Sequence, residues 1–240
     1  MLSGEGLKSA NDYRARANWQ ARTARRLLRV LGVRVHHAGP PPKRGFLVSN
    51  HLGYIDILVL AAAGHVIFVS KDDVKKWPAL GRMAAQAGTL FLKRGSAKEC
   101  AKMLDQMTAV SEQEVVVGFF PEGTSSGGDS VLPFHAALFE AAFRSGRAVT
   151  PAAIHYQVAE GSAADEICYW GEMTFLPHLW NLLSKSEIRA HAIFGAPLEP
   201  ESDRRALCLA SHAAVAALLS RCKTFQQGEP SNVTDHSASF

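Results

Sequence analysis

His51 and Asp56 stand five residues apart, just after the apolar run Phe46-Leu47-Val48, in the stretch Asn50-His51-Leu52-Gly53-Tyr54-Ile55-Asp56. On a continuous helix that spacing separates two side chains by about 140°. They meet only if His51 lies on the turn before a helix and Asp56 in its first turn, where the dipole favours a carboxylate. A carboxylate on one imidazole nitrogen sets the tautomer and supports the imidazolium, so that the other nitrogen can take a proton from a hydroxyl. No Gly-x-Ser-x-Gly elbow supplies a serine nucleophile. A hydroxyl activated by such a base therefore belongs to a substrate. Read on its own, the same pair is more readily a structural contact at a strand end than a catalytic one.

Two further apolar runs end in polar chemistry. Gly88-Thr89-Leu90-Phe91-Leu92-Lys93-Arg94 places two cations past a strand. The Arg94 fork suits a phosphate or a carboxylate, while a solvated pair of cations is the plainer alternative. Phe120-Pro121-Glu122-Gly123-Thr124 follows Val115-Val116-Val117. Pro121 stops a ladder and Gly123 permits a tight turn. The backbone N–H groups and the Thr124 hydroxyl can then cradle an oxyanion or phosphate. Glu122 can hold a substrate hydroxyl, pair with Arg94, or be an ordinary loop carboxylate.

These residues need elements to position them. Apolar runs predict strands over 45–49, 66–70, 89–93, 114–120, 148–156, 166–171 and 188–194. Helical patterns cover 55–63, 74–87, 98–111, 134–145, 178–183 and 202–221. This alternation predicts an α/β domain, with a largely parallel or mixed sheet covered by helices on both faces. Ligands of such sheets sit at the strand ends.

Ahead of the domain, residues 11–31 read as a helix. Tyr13, Ala17, Ala24, Leu28, Leu31 and Val35 fall on one stripe, and Arg14, Arg22, Arg25 and Arg29 on another. Residues 1–34 carry eight basic side chains against two acidic ones, a net +6, whereas the remainder carries −2. A basic amphipathic helix over 1–38 suits an anionic membrane surface, with Trp19 near the boundary. A surface helix packed on the core by its apolar stripe is the alternative. Gly39-Pro40-Pro41-Pro42 reads as a stiff linker into a domain over 39–222, and 223–240 as a disordered polar tail.

Composition is that of a globular protein, with 47% hydrophobic residues. Cys100, Cys168, Cys208 and Cys222 show no metal-binding spacing and predict free thiols in a reducing compartment. The N-terminus shows no secretory pattern. The best apolar run, 57–64, is shorter than the ~20 residues a membrane span needs. The arginines face an apolar stripe without base-reading chemistry between them, which argues against a nucleic-acid partner.

Taken together, the blocks resemble those of the glycerolipid and lysophospholipid acyltransferases, the family of the bacterial 1-acylglycerol-3-phosphate acyltransferase. The His-x4-Asp block is Asn50 to Asp56, the second runs from Gly88 to Arg94, the third from Phe120 to Thr124. The fourth is the strand Val149-Thr150-Pro151-Ala152-Ala153-Ile154. Weaker similarity in Ser70-Lys71, Pro78-Ala79-Leu80-Gly81 and Leu132 to Phe139 extends it over about residues 40–220. Gly53 stands where a serine is frequent, and His135 where phosphatidate-forming members commonly have lysine.

The resemblance implies His51 as general base and Asp56 as its orienter. It implies Arg94, Glu122, Gly123 and Thr124 on the acceptor, and Pro151 shaping the pocket. It implies a fatty-acyl thioester of coenzyme A or acyl carrier protein as donor, and no metal or bound cofactor. The acceptor would be 1-acyl-sn-glycerol-3-phosphate, giving phosphatidic acid; lyso-ornithine lipid or another lysophospholipid is the alternative. The protein would be peripheral on the cytoplasmic face of the inner or plasma membrane. A catalytically silent lipid-binding protein is the non-enzyme reading.

Overall fold

The computed structural model describes residues 12–77, 79–93, 95–200 and 203–224. Arg94, segment 1–11 and nearly all of the expected tail lie outside these residues. In chain order the elements are α1 (Tyr13–Val30), β1 (Val33–Ala38), β2 (Phe46–Ser49), α2 (Ile55–Ala63), β3 (Val66–Lys71), α3 (Leu80–Gln86), β4 (Leu90–Leu92), α4 (Ala97–Ser111), β5 (Val116–Phe119), α5 (Phe139–Ser145), β6 (Val149–Val158), α6 (Ala163–Glu166), α7 (Phe175–Leu183), β7 (Ile188–Phe194) and α8 (Arg204–Thr224).

The seven strands form one sheet in the order β1-β7-β6-β2-β5-β3-β4. The run from β6 to β4 is parallel, and β7 turns antiparallel to β6 and carries β1 beside it. Strand residues alternate between two cores: Phe46 and Val48 pack on the side of α4, α5 and α8, and Leu47 on the side of α2 and α7. Near-continuous apolar strands are what a sheet buried on both faces requires. All described strands of the parallel run therefore discharge their loops at one edge.

Several local expectations change. Val33–Ala38 is an edge strand paired in register with β7, so the helix ends near Leu31 and Val35 leaves its stripe. The Gly-Pro-Pro-Pro stretch connects two strands of one sheet, and the expected division of the chain at 38/39 therefore falls inside the fold. The expected helix 74–87 is broken. A short 3-10 turn covers Asp72–Lys76, and Trp77 is extended, as the residue preceding a proline tends to be.

Residues 166–171 are not a strand. Ser162 caps the short α6 through the N–H of Ala164. Ile167 and Cys168 are buried, which produced the strand-like pattern. Tyr169 is drawn into the loop after β2 by its N–H bond to the Leu52 carbonyl, 2.7 Å. α8 runs through Thr224, into the expected tail. It is the one described helix long and apolar enough to cross a bilayer, but its stripe from Leu207 to Cys222 is buried against the sheet. Among the described residues the four cysteines are free.

Candidate active site

β2 and β5 are neighbours with Val48 opposite Phe119, so the chain leaves the sheet side by side at His51 and Glu122. Asn50 governs the exit of β2. Its Oδ1 accepts from Ile154 N at 2.8 Å and its Nδ2 donates to Ile154 O at 2.9 Å. This amide takes over the ladder to β6 where the β2 backbone turns away.

His51 lies on that turn and Asp56 in the first turn of α2. The two meet: Nδ1 of His51 donates to Asp56 Oδ2 at 2.8 Å. The same oxygen accepts from the backbone N–H groups of Leu52 and Gly53 at 2.6 and 2.9 Å. The other oxygen, Oδ1, accepts from the hydroxyl of Tyr156 at 2.7 Å. Asp56 is 0% exposed, and four donors give a buried carboxylate what it needs. Burial, with Asp56 beside it, holds the Tyr156 hydroxyl well above its ordinary range, so it remains a donor. Phe120 stacks on the imidazole, centroids 4.1 Å apart and planes 16° from parallel. With Nδ1 committed to Asp56 and the ring face on Phe120, Nε2 is the nitrogen His51 offers to the groove it lines.

The loop after β5 closes in a tight turn, Gly123 N to Phe120 O at 3.2 Å, with Gly123 at φ +69°, a conformation that favours glycine. Ser126 N ties the loop to the His51 carbonyl at 2.9 Å. Glu122 is 4% exposed and accepts from Leu132 N at 3.3 Å, while its Oε2 has no hydrogen-bond partner among the described residues. Burial pushes its carboxyl from 4.5 up to about 8. The N–H groups of Leu132 and His51 oppose the rise, and Asp56 adds to it. Gly123 and Thr124 line the groove, whereas Glu122 does not.

The groove has a volume of about 400 Å³. His51, Thr124 and Ser125 form its polar end. Ile57, Leu58 and Phe68 supply apolar wall, and α1 completes it with Trp19, Thr23 and Ala24. Tyr54, Trp77 and Tyr169 line it as well. Gly53 admits this arrangement, since a Cβ there would stand 2.9 Å from Tyr169 N.

The expected site residues are not all brought together. Arg94 lies outside the described residues; Leu92, two positions earlier, lines the groove. Pro151 does not line it. Between the pairs Val149–Leu198 and Ala152–Phe194 the partner segment takes one more residue than β6. Pro151 sits at this bulge, where a strand tolerates a missing N–H, and its carbonyl accepts from Gly195 N at 2.8 Å. Its part is in the sheet. Sequence reasoning missed Tyr156, whose role depends on β6 lying beside β2. It also passed over Asn50, though the residue opens the His-x4-Asp block.

Comparison with known proteins bears on the family and the fold. A family model described as Acyltransferase matches residues 32–155. The chain is similar to a lyso-ornithine lipid O-acyltransferase of Rhodobacter capsulatus, 35% identical over 78% of this chain and 70% of the relative. A second lyso-ornithine lipid O-acyltransferase, from Brucella abortus, is 34% identical over 89% and 85%. A 1-acyl-sn-glycerol-3-phosphate acyltransferase of Neisseria meningitidis is 32% identical over 74% and 70%. The crystal structure of the 1-acyl-sn-glycerophosphate acyltransferase of Thermotoga maritima superposes with a TM-score of 0.66, covering 86% of this chain and 79% of that one. At 18% identity that likeness concerns the fold.

Proposed function

This chain belongs to the acyltransferase family, and from that premise we propose that it moves a fatty acyl group from a thioester to the free hydroxyl of a lysolipid. The observation that carries the reading is the His51–Asp56 pair at the polar end of an apolar groove. His51 Nε2 takes the proton of the acceptor hydroxyl as its oxygen attacks the thioester carbonyl. The tetrahedral adduct collapses, the C–S bond breaks, and the imidazolium returns the proton to the departing thiolate. Asp56 holds the ring and its transient charge. No acyl-enzyme is needed. Ser125 spends its hydroxyl on the Tyr169 carbonyl at 2.6 Å, and burial pushes the Cys168 thiol up to about 12.

The groove's apolar wall accepts an acyl chain, and Gly123 and Thr124 meet the reacting groups at its polar end. The donor is an acyl-CoA or acyl-ACP. Arg94, as an anion fork, would hold the acceptor's phosphate or carboxylate. Lyso-ornithine lipid is the first acceptor, favoured by the Rhodobacter and Brucella relatives and by His135 in place of lysine. 1-Acyl-sn-glycerol-3-phosphate is the second. On this reading the enzyme works peripherally at an anionic membrane surface, on the cytoplasmic face, with the arginines of α1 towards the lipid.

The test is incubation of the purified protein with labelled acyl-CoA, or acyl-ACP, and a panel of lysolipids containing both acceptors, followed by product identification. Acylation of one of them, lost in His51→Ala, supports the reading. An acyl group found on the protein, or full turnover by His51→Ala, overturns the mechanism.

A further inference from the structure

The apolar stripe of α1 is spent inside the protein. Ala17, Ala21, Ala24 and Leu28 are all buried, and α1 packs on α2 and β3. Its outward side carries Arg14, Arg22, Arg26 and Arg29, exposed, and the helix contains no acidic residue. α1 can therefore bring charge to an anionic surface, but apolar insertion must come from elsewhere.

α7 packs on the same core as α1 and α2. Its sequence, FLPHLWNLL, has no charged residue. His178 and Leu182 are buried and Leu179 packs on the same core. The opposite side carries Leu176, Trp180 and Leu183, at i, i+4 and i+7, with exposures of 72, 78 and 47%. Surface helices ordinarily turn polar side chains outward. Isolated exposed apolar residues are commonplace, but a tryptophan and two leucines on one stripe mark an interaction surface.

We propose that Leu176, Trp180 and Leu183 insert into the surface of an anionic lipid bilayer and seat the groove on it. Two relationships select lipid as the occupant. The first is continuity with the groove. Phe175, in the first turn of α7, packs against Tyr54 and Trp77, centroids 5.3 and 5.4 Å away, and both of those rings line the groove. The stripe thus starts beside rings that line the groove. The second is charge. α7 is bonded to the start of α2 through His178 Nδ1 and the Tyr54 hydroxyl, 2.9 Å apart, and α1 packs on α2, so the arginines and the apolar stripe flank one helix. Cations beside an inserting apolar face match the chemistry of anionic headgroups over acyl chains, and an indole suits the boundary between them. The inference rests on the lysolipid reading only for the reason a membrane is needed.

The test is flotation of the full chain with vesicles of phosphatidylcholine, with and without phosphatidylglycerol. The wild type is compared with the triple variant Leu176→Ser, Trp180→Ser, Leu183→Ser, whose sites are exposed enough to leave the fold intact by circular dichroism. Binding to the phosphatidylglycerol vesicles is expected to fall by roughly a hundredfold in the triple variant. Brominated acyl chains are expected to quench wild-type fluorescence more than that of Trp180→Phe. Turnover of a lysolipid held in detergent micelles is expected to be unchanged. Undiminished flotation, or equal quenching in the two proteins, overturns the proposal. So does wild-type self-association without vesicles that the triple variant abolishes, since the stripe would then be a contact between copies. If the wild type binds vesicles through this stripe yet acylates no lysolipid, the functional reading fails and this inference stands.

Discussion

Tyr156 donates its hydroxyl to Asp56 Oδ1 at 2.7 Å, across one hundred residues of sequence, on the carboxylate oxygen that His51 does not use. The phenol lies on β6 and the carboxylate on α2, and they meet because β6 is the strand next to β2. Removing this donor leaves one oxygen of a buried carboxylate unpaired and frees Asp56 to rotate away from the imidazole. Tyr156→Phe is expected to lower kcat about tenfold with KM nearly unchanged, and to cost about 1–3 kcal/mol of stability. Steady-state kinetics beside urea denaturation reads both. A rise in KM with kcat intact would show that the residue serves substrate binding instead.

The two members of the pair should fail differently. His51→Ala is expected to reduce kcat by roughly a thousandfold with a small change in Tm, because the ring is partly exposed. Asp56→Asn is expected to lose activity and also to unfold more readily. An amide cannot accept at every site that Leu52 N, Gly53 N, His51 and Tyr156 now fill. Thermal melts of the two variants make the comparison, and equal melting points would contradict the assigned burial of Asp56.

Glu122 makes stability depend on pH. The folded carboxyl keeps its proton up to about 8, whereas its ordinary value is 4.5. Between those values the folded state binds more protons than the unfolded chain, so this group's contribution declines as pH rises through the window and is level outside it. Glu122→Gln retains the shape without the titration. Its Tm is expected to fall less than that of the wild type from pH 4.5 to about 8. Parallel curves would mean that Glu122 ionises as it does in the unfolded chain.

Gly53 is held by a close approach. Gly53→Ala puts a methyl group 2.9 Å from Tyr169 N and pushes apart the bond from that N–H to the Leu52 carbonyl. A loss of about 1–3 kcal/mol is expected, together with faster amide exchange at Tyr169. Unchanged exchange would show that the loop yields without cost.

Much of this architecture is written in local pattern. α2 and β7 fall on the residues expected of them, because a helix stripe and an apolar strand are properties of a few consecutive side chains. The turn that lets His51 reach Asp56 is equally local, since five residues of loop and first helical turn contain it. The first three blocks point to strand ends for the same reason.

What the sequence determined by itself was therefore the alternation of strands and helices, the family blocks, and a histidine and an aspartate able to meet. Only the tertiary structure decided which strands are neighbours, and with that the partners of the site. β5 lies between β2 and β3, so Phe120 stacks on His51; β6 lies beside β2, so Tyr156 reaches Asp56 and Asn50 clasps Ile154. It also decided that the apolar stripe of α1 faces the body, that Val33–Ala38 joins the sheet, and that Pro151 serves a bulge. Periodicity records which side of an element is apolar, but not what covers that side. Strand order is selected by packing among segments distant in the chain, and that competition leaves no mark on any one of them.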